Sequence, residues 1–229
     1  MESARGSSTG SMFSADGLTA LFRLYKEWGV ARMRERCPWS LGVSYEYQAY
    51  HDEEWGLPVL DDPTHFQFLI LESAQAGLSW RTVLHKREGY RKAFAGFDPL
   101  RVAKFGDREI DALVSDPGII RNRQKIAAAV NNASRFLEIR EDFGSFACYI
   151  WGFVDGEPVV NHWREQHELP ATSPLSDRLS ADLKARGFKF VGPTTMYSHL
   201  QACGLINDHL ISCFRHRECR QVFTGLPWS

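Results

Sequence analysis

The stretch that most restricts what this chain can become runs from Phe68 to Leu84, FLILESAQAGLSWRTVL. Ahead of it, Asp61 or Asp62 can cap a helix, and Pro63 suits a first helical turn, where its missing N–H is no loss. Phe66, Leu69, Ile70 and Ser73 share one 3.6-residue face, while Phe68, Leu71, Glu72 and Gln75 line the next. A helix apolar on adjoining faces is buried on most sides, so other elements must surround it. Burial also encloses Glu72, and an enclosed carboxylate is costly unless paired. Such a residue is either a structural acid bonded to an amide or arginine, or a group tuned for binding or proton work. Gly77 permits a left-handed turn, Leu78 sits at its tip, and Ser79 can cap a helix opening at Trp80. An apolar tip beside an amide, a carboxylate and a tryptophan suits a pocket mouth or, equally, an ordinary core corner.

The rest of the chain supplies the surrounding body. Its 229 residues suffice for one domain or two small ones. Residues 1–15, rich in Gly and Ser, are expected to lack structure, and Asp16 is placed to cap a helix to about Arg34. Further helices are expected over Trp80 to Phe94, after Asp98-Pro99, and from Asp107 with Ile110, Leu113 and Val114 inward. One more reaches about Arg140, with Ile126, Val130, Ala133 and Leu137 inward, and a short one spans Phe143 to Trp151. Asp155 to Pro174 reads as irregular, with brief strand character at Val159-Val160. Helices follow over Ser176 to Arg186 and from Thr194 or Thr195 to Cys203. Helices and short turns give an all-α fold. The chain divides into an N-terminal extension (1–35), a main domain (36–214) and a C-terminal tail (215–229). No run of 18 apolar residues predicts a membrane span, and the N-terminus has no signal-peptide core. Five scattered cysteines without a secretion signal fit a reducing, cytoplasmic setting. Nothing demands more than a monomer.

Two patterns carry chemistry. In Leu113–Ile126, LVSDPGIIRNRQKI, the run Asp116-Pro117-Gly118 enforces a turn between helices. The following helix is expected to begin near Ile119, with Arg121, Arg123 and Lys125 in its first turns. Amides at a helix start can hold phosphate, so this is either a helix-hairpin-helix grip on DNA or a hairpin with a solvated basic face. The net charge of −1 adds no general nucleic-acid signature, although a local patch suffices for phosphate contacts. The second pattern is Cys37 with His51 near the domain start and His209 with Cys213 near its end. The latter pair is spaced for one side of a helix. Four such ligands would saturate a tetrahedral zinc ion and leave no open position for substrate. Cys203, His216 and Cys219 are rival ligands. His51-Asp52-Glu53-Glu54 also suggests a metal hydrolase, but it lacks a second histidine at helical spacing.

Taken together, RCPW, YQAYHDEEWG, LESAQAGLSWRTVL, DPGIIRNRQKI, RGFKFVGPTTMYSHLQACGLINDH and Cys213 resemble the DNA-3-methyladenine glycosylase I family over Arg36 to about Cys213. The resemblance implies a helix-hairpin-helix DNA glycosylase fold, with a structural zinc staple on Cys37, His51, His209 and Cys213 joining the two ends of the domain. It implies excision of 3-methyladenine from alkylated double-stranded DNA, with Glu72 as the catalytic residue in a base pocket of Tyr50, Trp39, Trp80, Tyr47 and Trp55. The strand-wedging turn would fall on Gly77 and Leu78, and the hairpin's DNA contacts on Gly118, Ile119, Arg121 and Lys125. Ser73 and Ala74 stand where some members carry glycine and glutamine. The wider superfamily places a catalytic Asp about twenty residues after the hairpin; that offset reaches Glu138, which reads as a solvated helix residue. With no convincing lysine nucleophile in the sequence, a monofunctional hydrolysis with water as nucleophile is expected. The competing readings are a non-catalytic helix-hairpin-helix DNA-binding module and a zinc hydrolase.

Overall fold

The computed structural model describes residues 34–223, so the expected helix from Asp16 to about Arg34 and the loose segment before it lie outside the described residues. Contacts divide the chain after Glu35, and the elements below belong to the compact unit that begins at Arg36. Its helices are α1 (Tyr45–Glu53), α2 (Asp62–Gln75), α3 (Trp80–His85), α4 (Arg87–Ala93), α5 (Pro99–Val102), α6 (Asp107–Ser115), α7 (Arg123–Phe143), α8 (Phe146–Trp151), α9 (Pro174–Ala185), α10 (Pro193–Ala202) and α11 (Phe214–Phe223). Two short strands, β1 (Val159–Val160) and β2 (Ile206–Asn207), pair in parallel, with Val159 opposite Ile206 and Val160 opposite Asn207. The fold is thus mainly helical, with one small strand pair.

Helix α2 is the axis. Asp61 caps it, accepting the Thr64 N–H at 2.9 Å. Asp62 accepts from the Ala147 N–H at 3.0 Å and pairs with Arg140 at 3.1 Å, tying the start of α2 to α8 and α7. Every residue from His65 to Ala74 is buried. Helices α3, α7, α8 and α10 pack around it; Phe66 meets Phe136 edge-on at 5.2 Å, and Phe136 stacks on Phe146 at 4.4 Å. Ser73 donates to the Phe190 carbonyl at 3.4 Å, so its hydroxyl ties α2 to the loop after α9.

Several expected boundaries move. Trp80 to Phe94 is two helices, because the backbone leaves the helical region at Lys86 (ψ 4°). Helix α7 starts at Arg123, capped by Asn122, so Ile119 and Arg121 lie in the loop before it. It runs through Phe143 and stops at Gly144 (φ +80°), leaving α8 to begin at Phe146. Its buried face carries Phe136 and Ile139, whereas Val130 and Leu137 are only half-buried. Pro174 and Pro193 open α9 and α10 in their first turns, ahead of the serine and threonine starts expected. His209 and Cys213 lie in an irregular turn before α11, not on a helix. Beyond Phe214, α11 is packed: Arg215, His216 and Cys219 are buried, and His216 donates to the Asn161 carbonyl at 2.8 Å.

Candidate active site

Where α2 ends, the chain needs a reversal that no side chain fills. Gly77 supplies φ +78°, and the Leu78 N–H closes the turn on the Gln75 carbonyl at 2.6 Å. Leu78 is left 42% exposed at the tip. Ser79 then caps α3 by accepting the Thr82 N–H, which turns Trp80 back toward α2.

Beside this turn lies a cavity of about 210 Å³, lined by Trp39, Tyr47, Tyr50, Trp55, Glu72, Gln75, Trp80, Gln166, Leu169, Ser198 and Gln201. Its wall is a chain of rings. Trp39 meets Tyr47 edge-on at 5.6 Å and Trp55 at 5.1 Å, and Tyr50 lies 5.4 Å from Trp80. Glu72 is 3% exposed. Its Oε2 sits 2.8 Å from Nδ1 of His199, while Oε1 has no hydrogen-bond partner, and neither has the buried Trp80 Nε1. Burial holds the Glu72 carboxyl well above the usual carboxylate range and pushes the Tyr50 phenol up as well. An acceptor and a donor without partners, inside a ring-lined slot, are what a flat polar ligand would satisfy.

Behind the ring wall is a second constellation. Cys37, His51, His209 and Cys213 are all buried, with one donor atom from each inside a 4.8 Å span. The Cys213 sulfur lies 3.5 Å from His51 Nε2 and 3.6 Å from His209 Nδ1, and the Cys37 sulfur lies 3.7 Å from His209 Nδ1. Donors at about 2.1 Å (N) and 2.3 Å (S) around a tetrahedral ion stand about 3.6 Å apart, so the spacing fits such an ion. The outer nitrogens are also committed: His51 Nδ1 meets Asp52 at 2.8 Å, itself clasped by Arg36, and His209 Nε2 donates to the Trp55 carbonyl at 3.0 Å. Such partners fix the tautomer and orientation of metal-bound histidines. The cluster can hold a metal. Cys203, His216 and Cys219 do not join it; Cys203 instead groups with His65 and His199.

The model of the methyladenine glycosylase family matches residues 39–216. The chain belongs to this family. It is 48% identical over 181 residues to the DNA-3-methyladenine glycosylase 1 of Escherichia coli, spanning 78% of this chain and 95% of that one. It is 45% identical over 181 residues to the DNA-3-methyladenine glycosylase of Haemophilus influenzae, across 79% and 97%. A crystal structure of 3-methyladenine DNA glycosylase I superposes with a TM-score of 0.76 at 47% identity, over 79% of this chain and 98% of that one. A Staphylococcus aureus structure, described as showing the structural basis of 3-methyladenine recognition, gives 0.74 at 40% identity, over 76% and 94%.

In this methyladenine glycosylase Glu72, Tyr50, Trp39, Trp80, Tyr47 and Trp55 face one cavity. The residues expected to hold DNA are arranged less uniformly. Gly118 turns its N–H to Asp116 at 2.7 Å, and the Ile120 N–H goes to the Tyr90 hydroxyl at 3.2 Å. Ile119 is 2% exposed, and Arg121 is exposed. The Lys125 ammonium reaches back to the carbonyls of Ala74 (2.8 Å) and Ala76 (2.5 Å), closing the end of α2. Glu138 lies exposed on α7, paired with Arg135 at 2.8 Å. Sequence reasoning missed Gly89, whose Cα hydrogen faces the hairpin turn so closely that a Cβ would stand 2.2 Å from the Gly118 oxygen. It also missed His199, whose only signal was its place in the MYSHLQACG run, 127 residues from the acid it contacts.

Proposed function

We propose that this methyladenine glycosylase is a monofunctional DNA-repair hydrolase that flips 3-methyladenine out of alkylated duplex DNA and hydrolyses its N-glycosidic bond. The observation that carries the reading is Glu72 Oε1, a buried acceptor without a partner in a slot walled by Trp39, Tyr50 and Trp80. At 210 Å³ the slot lies below the range of about 300–1,000 Å³ typical of drug-sized ligands and suits one flat ring system. A base in a duplex must leave the stack to enter it, and Leu78, exposed at the Gly77 turn, supports a wedge that fills the gap.

N3-methylation makes the nucleotide's base cationic and its glycosidic bond weak. Ring faces attract a cation, and Glu72 accepts the exocyclic N–H while opposing the charge. Recognition therefore supplies most of what the reaction needs, and water is the nucleophile. Among the described residues no lysine lines the cavity, which supports hydrolysis without a Schiff-base step. Glu138 stands exposed on α7 and serves no general-base role in this reading. Zinc on Cys37, His51, His209 and Cys213 supplies structure only, since four protein donors leave no coordination site for substrate. That saturation argues against the hydrolase reading of His51, and a built, unsatisfied pocket argues against a purely DNA-binding module. No described helix is long and apolar enough to cross a membrane. In this reading the enzyme works as a monomer on cytoplasmic DNA.

The deciding experiment measures free-base release from methylated duplex DNA by chromatography. Wild type is expected to free 3-methyladenine, and Glu72→Gln to lose at least about 100-fold, the scale of removing a preorganised electrostatic contact. DNA binding without base release would return the chain to the module reading.

A further inference from the structure

The hydrogen bonds behind Glu72 determine where protons can sit. His65 Nε2 lies 3.0 Å from the Val59 carbonyl, an acceptor only, so this nitrogen carries hydrogen. A neutral His65 then presents a bare Nδ1 to His199 Nε2, 3.2 Å away, so His199 must donate from Nε2. A weakly accepting Cys203 sulfur at 3.6 Å shares that N–H. His199 Nδ1 faces Glu72 Oε2 at 2.8 Å, and one proton must lie between them. It rests either on the carboxyl oxygen or on the imidazole, and both arrangements leave the His65–His199–Glu72 group neutral as a whole. In either, the proton is confined to the Oε2 side.

We infer that His199, backed by His65 and the Val59 carbonyl, is a positioning residue that keeps Glu72 Oε1 a permanent hydrogen-bond acceptor toward the pocket. The inference rests on the proposed glycosylase reading and assigns its base selectivity. An acceptor at Oε1 takes the exocyclic amino group of adenine and repels the exocyclic oxygen at the same place on guanine. A freely rotating carboxylic acid would donate from either oxygen and discriminate less.

The surroundings agree with the geometry. The helices packed against this group bring Tyr50 and Cys203 to face Glu72, and Asp61 stands near His65. Burial pushes the Tyr50 phenol and the Cys203 thiol up, so both stay neutral and add no second negative charge beside Glu72. Burial also brings His65 and His199 down to about 3. When the cationic nucleotide enters, the shared proton moves from Glu72 Oε2 to His199 Nδ1 and leaves the carboxylate to oppose the positive base. Cleavage gives the bond pair to the base, which departs neutral; water adds to the sugar cation left behind and gives its proton to solvent, and the shared proton returns to Oε2. The shared proton itself stays between Glu72 and His199 throughout.

The test has two arms on the full-length, metal-loaded chain. Histidine ¹⁵N NMR of the ligand-free protein should show His65 and His199 both carrying hydrogen at Nε2. A bare Nε2 on His199 overturns the inference, whether from the opposite tautomer or from a second metal equivalent at His65, His199 and Cys203. The second arm compares single-turnover release of 3-methyladenine and 3-methylguanine. His199→Leu should lower adenine release at least about tenfold, the scale of leaving a buried polar atom unpaired, and narrow the ratio between the two bases. His199→Asn, whose amide can occupy the Nδ1 position, should recover much of that ratio. Equal ratios in wild type and His199→Leu overturn the inference. Should the Leu variant not fold, His65→Gln and the NMR arm still decide it. Wild type that releases no base defeats the glycosylase reading, while the NMR arm continues to test the proton arrangement.

Discussion

At the scale of single residues, the contact between α2 and α10 concentrates titratable groups that water does not reach. His65 and His199 are held near 3 by burial, against about 6.5 in an unfolded chain. A depressed histidine stabilises the fold above its unfolded value and loses that contribution as pH falls through the folded one. Glu72 acts in the opposite sense: with its carboxyl raised by burial, its contribution is lost as pH climbs above the ordinary carboxylate range. The urea midpoint should therefore fall steeply from about pH 6.5 downward, and His65→Gln should flatten that slope; an unchanged slope would contradict the buried neutral pair. Leu78 is the other isolated residue with a distinct expectation. Filling a vacated base site offsets a few kcal/mol of unstacking. Leu78→Ala should thus slow excision from duplex DNA about tenfold and leave release from single strands almost unchanged, which parallel single-turnover assays would show.

At the scale of elements, the hairpin turn is not a free-standing grip. Lys86 donates to the Pro117 carbonyl at 2.7 Å, Tyr90 receives the Ile120 N–H, and Gly89 lets α4 touch the Gly118 backbone. Gly89→Ala would place a methyl group 2.2 Å from a carbonyl oxygen, and backbone on both sides must give way. We expect at least a tenfold loss of DNA affinity with free-base binding by tryptophan fluorescence retained, since α4 contributes nothing to the cavity wall. The basic residues after the turn divide by where their charge goes. Arg121 is exposed, so Arg121→Ala should reduce the slope of log affinity against log salt by about one. Lys125 closes the carbonyl end of α2 beside the Gly77–Leu78 turn. Lys125→Ala should lower stability by about 1–2 kcal/mol and leave the salt slope nearly intact. A slope change equal to that of Arg121→Ala would place Lys125 on the phosphates instead.

At the scale of the whole molecule, the Cys/His cluster joins positions 37 and 213 and stands directly behind the pocket. Trp39 packs edge-on against His51 at 5.0 Å, and Trp55 against His209 at 4.5 Å. Metal would thus secure both the chain ends of the domain and two walls of the slot. Elemental analysis should find one zinc per chain. Cys213→Ala should lower the melting temperature by about 10 °C, taking a few kcal/mol for a lost structural ligand at about 2–4 °C per kcal/mol in a domain of this size. The pocket tryptophan fluorescence should shift in step. A zinc-free chain with unchanged melting would refute the staple.

What the amino-acid order determined by itself is local. The 3.6-residue apolar pattern required a buried α2, Gly77 and Ser79 required a turn and a new helix, and Val159-Val160 carried enough β-branched character for a strand. These follow from backbone sterics and solvent exclusion within about twenty residues. The resemblance extended the reading to the pocket rings and the four metal donors, which composition and spacing had left open against Cys203, His216 and Cys219. Only the tertiary structure decided the rest. It broke the helix at Lys86, placed His209 and Cys213 on a turn rather than a helix face, and drew Lys125 inward. It packed Gly89 against Gly118 and set His199 beside Glu72 across 127 residues of chain. Each of those depends on which distant backbone arrives at a given atom, and no local propensity encodes that distance.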